Sequence, residues 1–265
     1  MWLFWLWAFL GTDQPSLDPL EQVWSALSSR KTESMGELTA RAGKAFLDKP
    51  YVEKSLEVEG QERLVLNFDG YDCFTFMETA LALARAVRAG ALNVFPQELQ
   101  RIRYRGGKIN GYPSRLHYTS DWIFDNVRKG VVVDLSGALG GIRQEGDISF
   151  MSEHPDAYRQ MADPANRSAM REVEKAINAR PRYFLPKNKV AEIETDLHDG
   201  DLVAMTTDIK GLDIVHVGIV VKRGKRAHLM HASTKARKVV ISEVPLAEYL
   251  AGNHRQTGIM VFRPL

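Results

Sequence analysis

The 265-residue chain is long enough to bury a sizeable core, and its 45% apolar and 26% charged residues are ordinary for a soluble globular protein. Basic and acidic residues nearly cancel, 35 against 33, so a net charge of +2 gives no nucleic-acid footprint. A single cysteine excludes an internal disulfide framework and a cysteine-based zinc ribbon.

Residues 1–10, MWLFWLWAFL, are uncharged and rich in aromatic side chains. They are too few to span a bilayer as a helix, which takes about 20 residues. They match the apolar part of a secretory signal but lack its positive leading region and small-residue cleavage site. The expectation is a periplasmic or secreted protein without a stable membrane span. Residues 1–17 read as signal remnant or linker, since GTDQPSLDPL (11–20) is turn-rich, and 18–265 as a single domain.

Leu20, Val23, Trp24 and Leu27 have the spacing of a short helix, and a second helical pattern runs over 33–48. EKSLEVEGQERLVLNFDG (53–70) alternates polar and apolar residues around Glu59-Gly60, as a hairpin would. Asp72 then reads as an N-cap. Phe74, Met77, Leu81, Ala84 and Val87 form a stripe that ends near Gly90. Cys73 therefore lies in the first turn of a helix, where unpaired N–H groups and the helix dipole favour a thiolate.

A helical turn begins at Pro96, a strand is expected at 101–105, and a helix starts near Thr119 with Thr119 or Ser120 as its cap. VVVDLS (131–136) and ISFM (148–151) read as strands, and 154–179 as mostly helical. From 182 onward RYFLP, DGDLVAMTT, DIVHVGIVVK, RAHLMHAS, KVVIS and GIMVFRP read as successive strands. Helices first and strands last predict an α+β fold: an antiparallel sheet or partial barrel with helical N-terminal elaboration. The basic runs RIRYRGGK (101–108) and KRGKR (222–226) read as solvated loops.

A nucleophilic cysteine needs a base and a group to orient it. His216 interrupts an apolar strand beside Gly218, where a lost side chain permits close approach. The next strand supplies His228 and His231, which lie on opposite faces, and spacing alone does not choose between them. Asn67 and Asp72 precede the cysteine as turn and cap residues. Arg115, His117, Tyr118, Asp121 and Trp122 form a polar-aromatic cluster. There Tyr118 and Trp122 offer stacking faces for sugar rings, and Arg115 a bidentate partner for a carboxylate.

DCFTF opening a helix, HVGIVV and LMHAS resemble the three motifs of the NlpC/p60 cysteine peptidase superfamily. That resemblance implies a papain-like core with Cys73 as nucleophile, His216 as base and His231 as orienter. NFDGYDCFTFMET, SRLHYTSDWIFDN, FMSEHPDAY, GDLVAMTT and GLDIVHVGIV further resemble the N-acetylmuramoyl-L-alanine amidase-like group once called domain of unknown function 1460. This implies hydrolysis of the lactyl–L-Ala amide of peptidoglycan fragments, notably anhydromuropeptides, by acyl transfer to sulfur. No cofactor or metal is implied. Asn67, Asp72, Arg115, His117, Tyr118 and Trp122 are the expected substrate-binding residues. The rival expectations are a γ-D-glutamyl–diaminopimelate endopeptidase, a non-catalytic cell-wall binding module and a metalloamidase. The last is disfavoured by the lack of an H-E-x-x-H helix.

Overall fold

The computed structural model describes residues 16–265; the 1–10 segment lies outside the described residues. Helices α1 (Asp18–Ser28) and α2 (Met35–Lys44) come first, followed by the long α3 (Cys73–Ala89), α4 (Phe95–Arg103) and α5 (Thr119–Arg128). Strands β1 (Val132–Asp134) and β2 (Ile142–Arg143) precede α6 (Phe150–Glu153) and α7 (Pro164–Asn178). Then come β3 (Tyr183–Pro186), α8 (Val190–Ile193), β4 (Leu202–Thr207), β5 (Ile214–Arg223), β6 (Arg226–Ser233), β7 (Lys238–Ile241), α9 (Leu246–Ala251) and β8 (Gln256–Pro264).

The strands form one antiparallel sheet in the order β2-β3-β8-β4-β5-β6-β7, with β1 also paired to β8. The expected α+β class holds. The centre of the sheet is buried on both faces, so β4 is buried throughout, with an apolar run over 202–205 rather than an alternation. Leu202 and Ala204 face the layer of α3, whereas Val203 and Met205 join Leu246 and Leu250 of α9 on the opposite face. Helices α1 and α2 flank α3; the indole N–H of Trp24 donates to Ala86 O at 3.4 Å.

Helix α3 forms where its sequence says it should. Asp72 Oδ1 accepts from the N–H groups of Phe74 and Thr75, and the Thr75 hydroxyl accepts from the Asp72 N–H. Gly90, at φ 73°, ends the helix in a left-handed conformation that glycine adopts without strain. Phe76, Met77, Ala80, Leu81, Leu83, Ala84 and Val87 are fully buried.

Several expectations fail for physical reasons. Residues 53–70 form no hairpin. Side chains from elsewhere take their carbonyls: Arg103 binds Val65 O at 2.8 Å and Tyr104 binds Arg63 O at 2.8 Å. The expected strand at 101–105 is instead the end of α4, with Tyr104 making only an isolated bridge to Arg115. ISFM starts α6 instead of a strand. Neither Thr119 nor Ser120 caps α5. The carboxylate of Asp213, far along the chain, accepts from both the Ser120 N–H and its hydroxyl at 2.8 Å.

Candidate active site

Cys73 begins α3 and stays partly exposed. Its thiol lies on the β5 side, where the backbone N–H groups of Val217, Cys73 and Phe74 favour the thiolate. Strand pairing explains why Val217 is free to do this. Val220 N–H donates to Asp201 O on the β4 side, so alternation turns the Val217 N–H toward β6. The β5–β6 ladder ends at Ile219↔Met230. Beyond that pair the strands part, and the Val217 N–H is turned toward the gap on the thiol's side.

The two histidines sit where the strands part. His216 Nε2 and His231 Nδ1 share a hydrogen bond of 2.6 Å, with the rings edge to face at 86°. Gly218 makes this approach feasible, because a Cβ there would come within 3.2 Å of His231 Cβ and 2.8 Å of Met230 O. His228 lies on the other face of β6 and bonds Ser242 O at 2.9 Å through Nδ1, so it has no part in this pair. No direct hydrogen bond joins Cys73 to His216 among the described residues. Such contacts are commonly long without substrate.

Burial sets the electrostatics of the group. It pulls His216 down to about 4 and His231, with a further push from His216, down to about 3. Burial, then the Asp72 carboxylate, push the Cys73 thiol up to about 12, outweighing the three N–H donors. The helix-terminus argument for a resting thiolate is therefore reversed. At neutral pH the site holds a neutral thiol and two neutral imidazoles. The hydroxyls of Tyr51 and Tyr249 lie close enough to feel the charge of a Cys73 thiolate; Tyr51 is raised to about 12, chiefly by burial. Sequence reading missed both tyrosines, which carry no local motif.

A cavity of about 180 Å³ opens at the start of α3, lined by Lys54, Asp72, Phe74, Arg115 and His117 among others, with Cys73, His216 and His231 outside its lining. The remaining expected binding residues are differently employed. Asn67 Oδ1 accepts from the Asp69 N–H in a turn. Arg115 is buried and paired with Glu57 at 2.6 Å and Glu62 at 3.3 Å, so its guanidinium is not free for a substrate carboxylate. His117 bonds Tyr112 O at 3.0 Å and is held well below its ordinary pKa by burial. Tyr118 and Trp122 are enclosed and present no stacking face. Tyr118 donates to Glu174, Trp122 to Glu78, each through its polar tip. Asp121 pairs with Arg105 and Arg180. Among the described residues no group of three or more His, Cys, Asp or Glu side chains could hold a metal ion, and no helix is long and apolar enough to cross a membrane.

A cysteine at a helix start and a hydrogen-bonded imidazole pair on the adjoining strands are groups able to serve acyl-transfer chemistry. The family model for N-acetylmuramoyl-L-alanine amidase-like proteins matches residues 41–259, and the chain belongs to that family. It is 40% identical to an N-acetylmuramoyl-L-alanine amidase of Bacteroides uniformis, whose crystal structure superposes with a TM-score of 0.81 over 87% of this chain and 98% of that one. A Bacteroides fragilis structure described as a candidate xylanase is 41% identical, with a TM-score of 0.78 over 84% and 98% of the two chains. A Legionella pneumophila protein of the domain of unknown function 1460 shares the fold at 22% identity and a TM-score of 0.68, over 95% and 97%. No curated protein matches the chain.

Proposed function

We infer that the protein is a cysteine-dependent N-acetylmuramoyl-L-alanine amidase that cuts the lactyl–L-Ala amide of muropeptides, including anhydromuropeptides. The observation that carries the reading is the His216–His231 hydrogen bond at 2.6 Å beside Val217, the strand residue whose N–H favours a Cys73 thiolate. If the Nε2–H of His216 donates to His231, Nδ1 of His216 is left as the base. Cys73 gives its proton to that nitrogen as sulfur attacks the lactyl carbonyl. The resulting imidazolium protonates the departing alanine amine, and water deprotonated by His216 then releases the muramic acid. The Phe74 and Thr75 N–H groups are taken by Asp72, so the Cys73 N–H is the helix donor left for the oxyanion.

The NlpC/p60-like core is part of the same proposal, supported by the cysteine helix packed on a histidine-bearing antiparallel sheet. So is export, supported by the extracytoplasmic location of peptidoglycan and by the apolar 1–10 segment. A glycosidase reading finds less support. Glycoside hydrolysis needs two carboxyl groups flanking the bond. Here Asp72 is engaged as a helix cap and Glu78 is fully buried against Arg103 and Trp122.

The test is product analysis by mass spectrometry after incubation with a disaccharide-anhydromuropeptide. The expected result is free disaccharide and intact stem peptide, unchanged by EDTA and abolished by Cys73→Ser. Cleavage inside the stem would favour the endopeptidase. An active Cys73→Ser enzyme inhibited by EDTA would overturn the thiol mechanism. No cleavage by the intact protein would leave a binding module.

A further inference from the structure

Among the described residues the non-glycine positions with positive φ are Asp48 (68°), Lys54 (54°) and Arg237 (58°). Left-handed backbone is unfavourable for such residues and concentrates at functional sites. All three lie on two segments that are stitched together by backbone hydrogen bonds. Asp48 N–H bonds Val239 O at 3.0 Å, Val239 N–H bonds Lys49 O at 2.9 Å, and Tyr51 N–H bonds Arg237 O at 2.9 Å. On its other side the 50–52 stretch pairs with Tyr71, two residues before Cys73, through Tyr71 N–H to Pro50 O at 2.9 Å and Val52 N–H to Tyr71 O at 3.0 Å. These bonds tie both segments to the stretch that leads into Cys73.

The cations of this rim divide sharply. Arg103 is taken by Glu78, Arg115 by Glu57 and Glu62, and Lys238 by Asp48. Lys54 and Arg237, like Lys49, are exposed and form no ion pair among the described residues; what distinguishes the two is their place against the cavity and against Tyr51. Lys54 lines the cavity that Asp72 and Phe74 wall. The Arg237 guanidinium lies 6.0 Å from the ring centre of Tyr51, and the Tyr51 hydroxyl feels the charges of both Arg237 and Cys73.

We propose that Lys54 and Arg237 are specificity-determining residues that read a carboxylate on the peptide side of the scissile amide. The proposal rests on the amidase reading above. In a muropeptide the sugar is uncharged and its lactyl carboxyl is consumed in the amide. Every carboxylate offered to these two cations therefore belongs to the stem peptide. Arg115, the sequence-level candidate for this task, is neutralised by its own glutamates.

The experiment compares N-acetylmuramoyl-L-Ala-D-Glu with N-acetylmuramoyl-L-Ala-D-isoglutamine, which differ by a carboxylate against a carboxamide. The wild-type protein is expected to prefer the carboxylate form about tenfold in kcat/KM, mainly through KM, and to lose the preference as salt rises. Lys54→Ala with Arg237→Ala should bring the ratio near one. Lys54→Gly with Arg237→Gly, which suits left-handed backbone, should do the same without loss of thermal stability. A wild-type ratio of one, or a ratio unchanged in both double variants, overturns the proposal. Calorimetric binding of the two ligands to Cys73→Ala, with and without the Lys54 and Arg237 changes, reads the same preference without turnover. A binding preference that disappears with the two cations, in a protein that cleaves neither ligand, supports the carboxylate site while the amidase reading fails.

Discussion

His216 and His231 are neutral because protein, not water, surrounds them, and that neutrality ties stability to pH. Folding lowers both from 6.5, to about 4 and about 3. Between those values and 6.5 the unfolded chain binds more protons than the folded one, so stability rises with pH across that window. The stabilisation is complete above about pH 6.5 and drains away as pH falls toward 4. Thermal denaturation from pH 7 to 4 should show a falling Tm, with a shallower fall in His231→Asn. The same variant should lose about 10²-fold or more in kcat/KM, because His216 loses the partner that fixes its ring and tautomer. A pH–Tm slope identical in wild type and variant would show that His231 is not the titrating group.

At the scale of the element, α3 both exposes the thiol and restrains it. Its cap, Asp72, is the second cause of the raised Cys73 pKa. Asparagine caps a helix about as well as aspartate but carries no charge. Asp72→Asn should therefore leave the Tm within a few degrees of wild type while lowering the thiol pKa. Iodoacetamide alkylation at pH 8 should become several-fold faster; an unchanged rate would remove Asp72 from the account. Asp72→Ala, by contrast, should cost about 1 kcal/mol through the lost cap bonds. The α3 cap was legible because its partners lie within three residues. The start of α5 was legible but its cap was not, since Asp213 arrives from 93 residues away. Residues 53–70 looked like a hairpin because alternation cannot reveal that distant arginine and tyrosine side chains will claim the carbonyls.

Across the whole molecule, the buried cluster of Glu78, Arg103 and Trp122 ties α3, α4 and α5 into the layer that presents Cys73. Arg103 Nε donates to Glu78 at 2.7 Å and Trp122 Nε1 donates to Glu78 at 3.0 Å, with Glu78 fully buried. Removing one partner strands the other. Arg103→Met should cost about 3–5 kcal/mol in urea denaturation. Glu78→Met combined with Arg103→Met should recover much of that loss, because no uncompensated charge then remains. An additive double variant would mean that the pair contributes only as independent packing.

The chain order of residues determined a good deal by itself: the cap and stripe of α3, its first-turn cysteine, and the apolar β4 to β6 run. These are local periodicities, and local physics writes them directly into sequence. Spacing did not separate His228 from His231 and only the motif resemblance pointed to His231; the tertiary structure sets His231 against His216 and His228 on the other face of β6. It also decided that Tyr118 and Trp122 are enclosed, that Arg115 is spent on Glu57 and Glu62, and that Lys54 and Arg237 are exposed without an ion pair among the described residues. Burial and charge pairing are properties of the whole packed molecule. The protonation state of Cys73 follows the same rule: its position in the helix argued for a thiolate, and the protein packed around it holds the proton on.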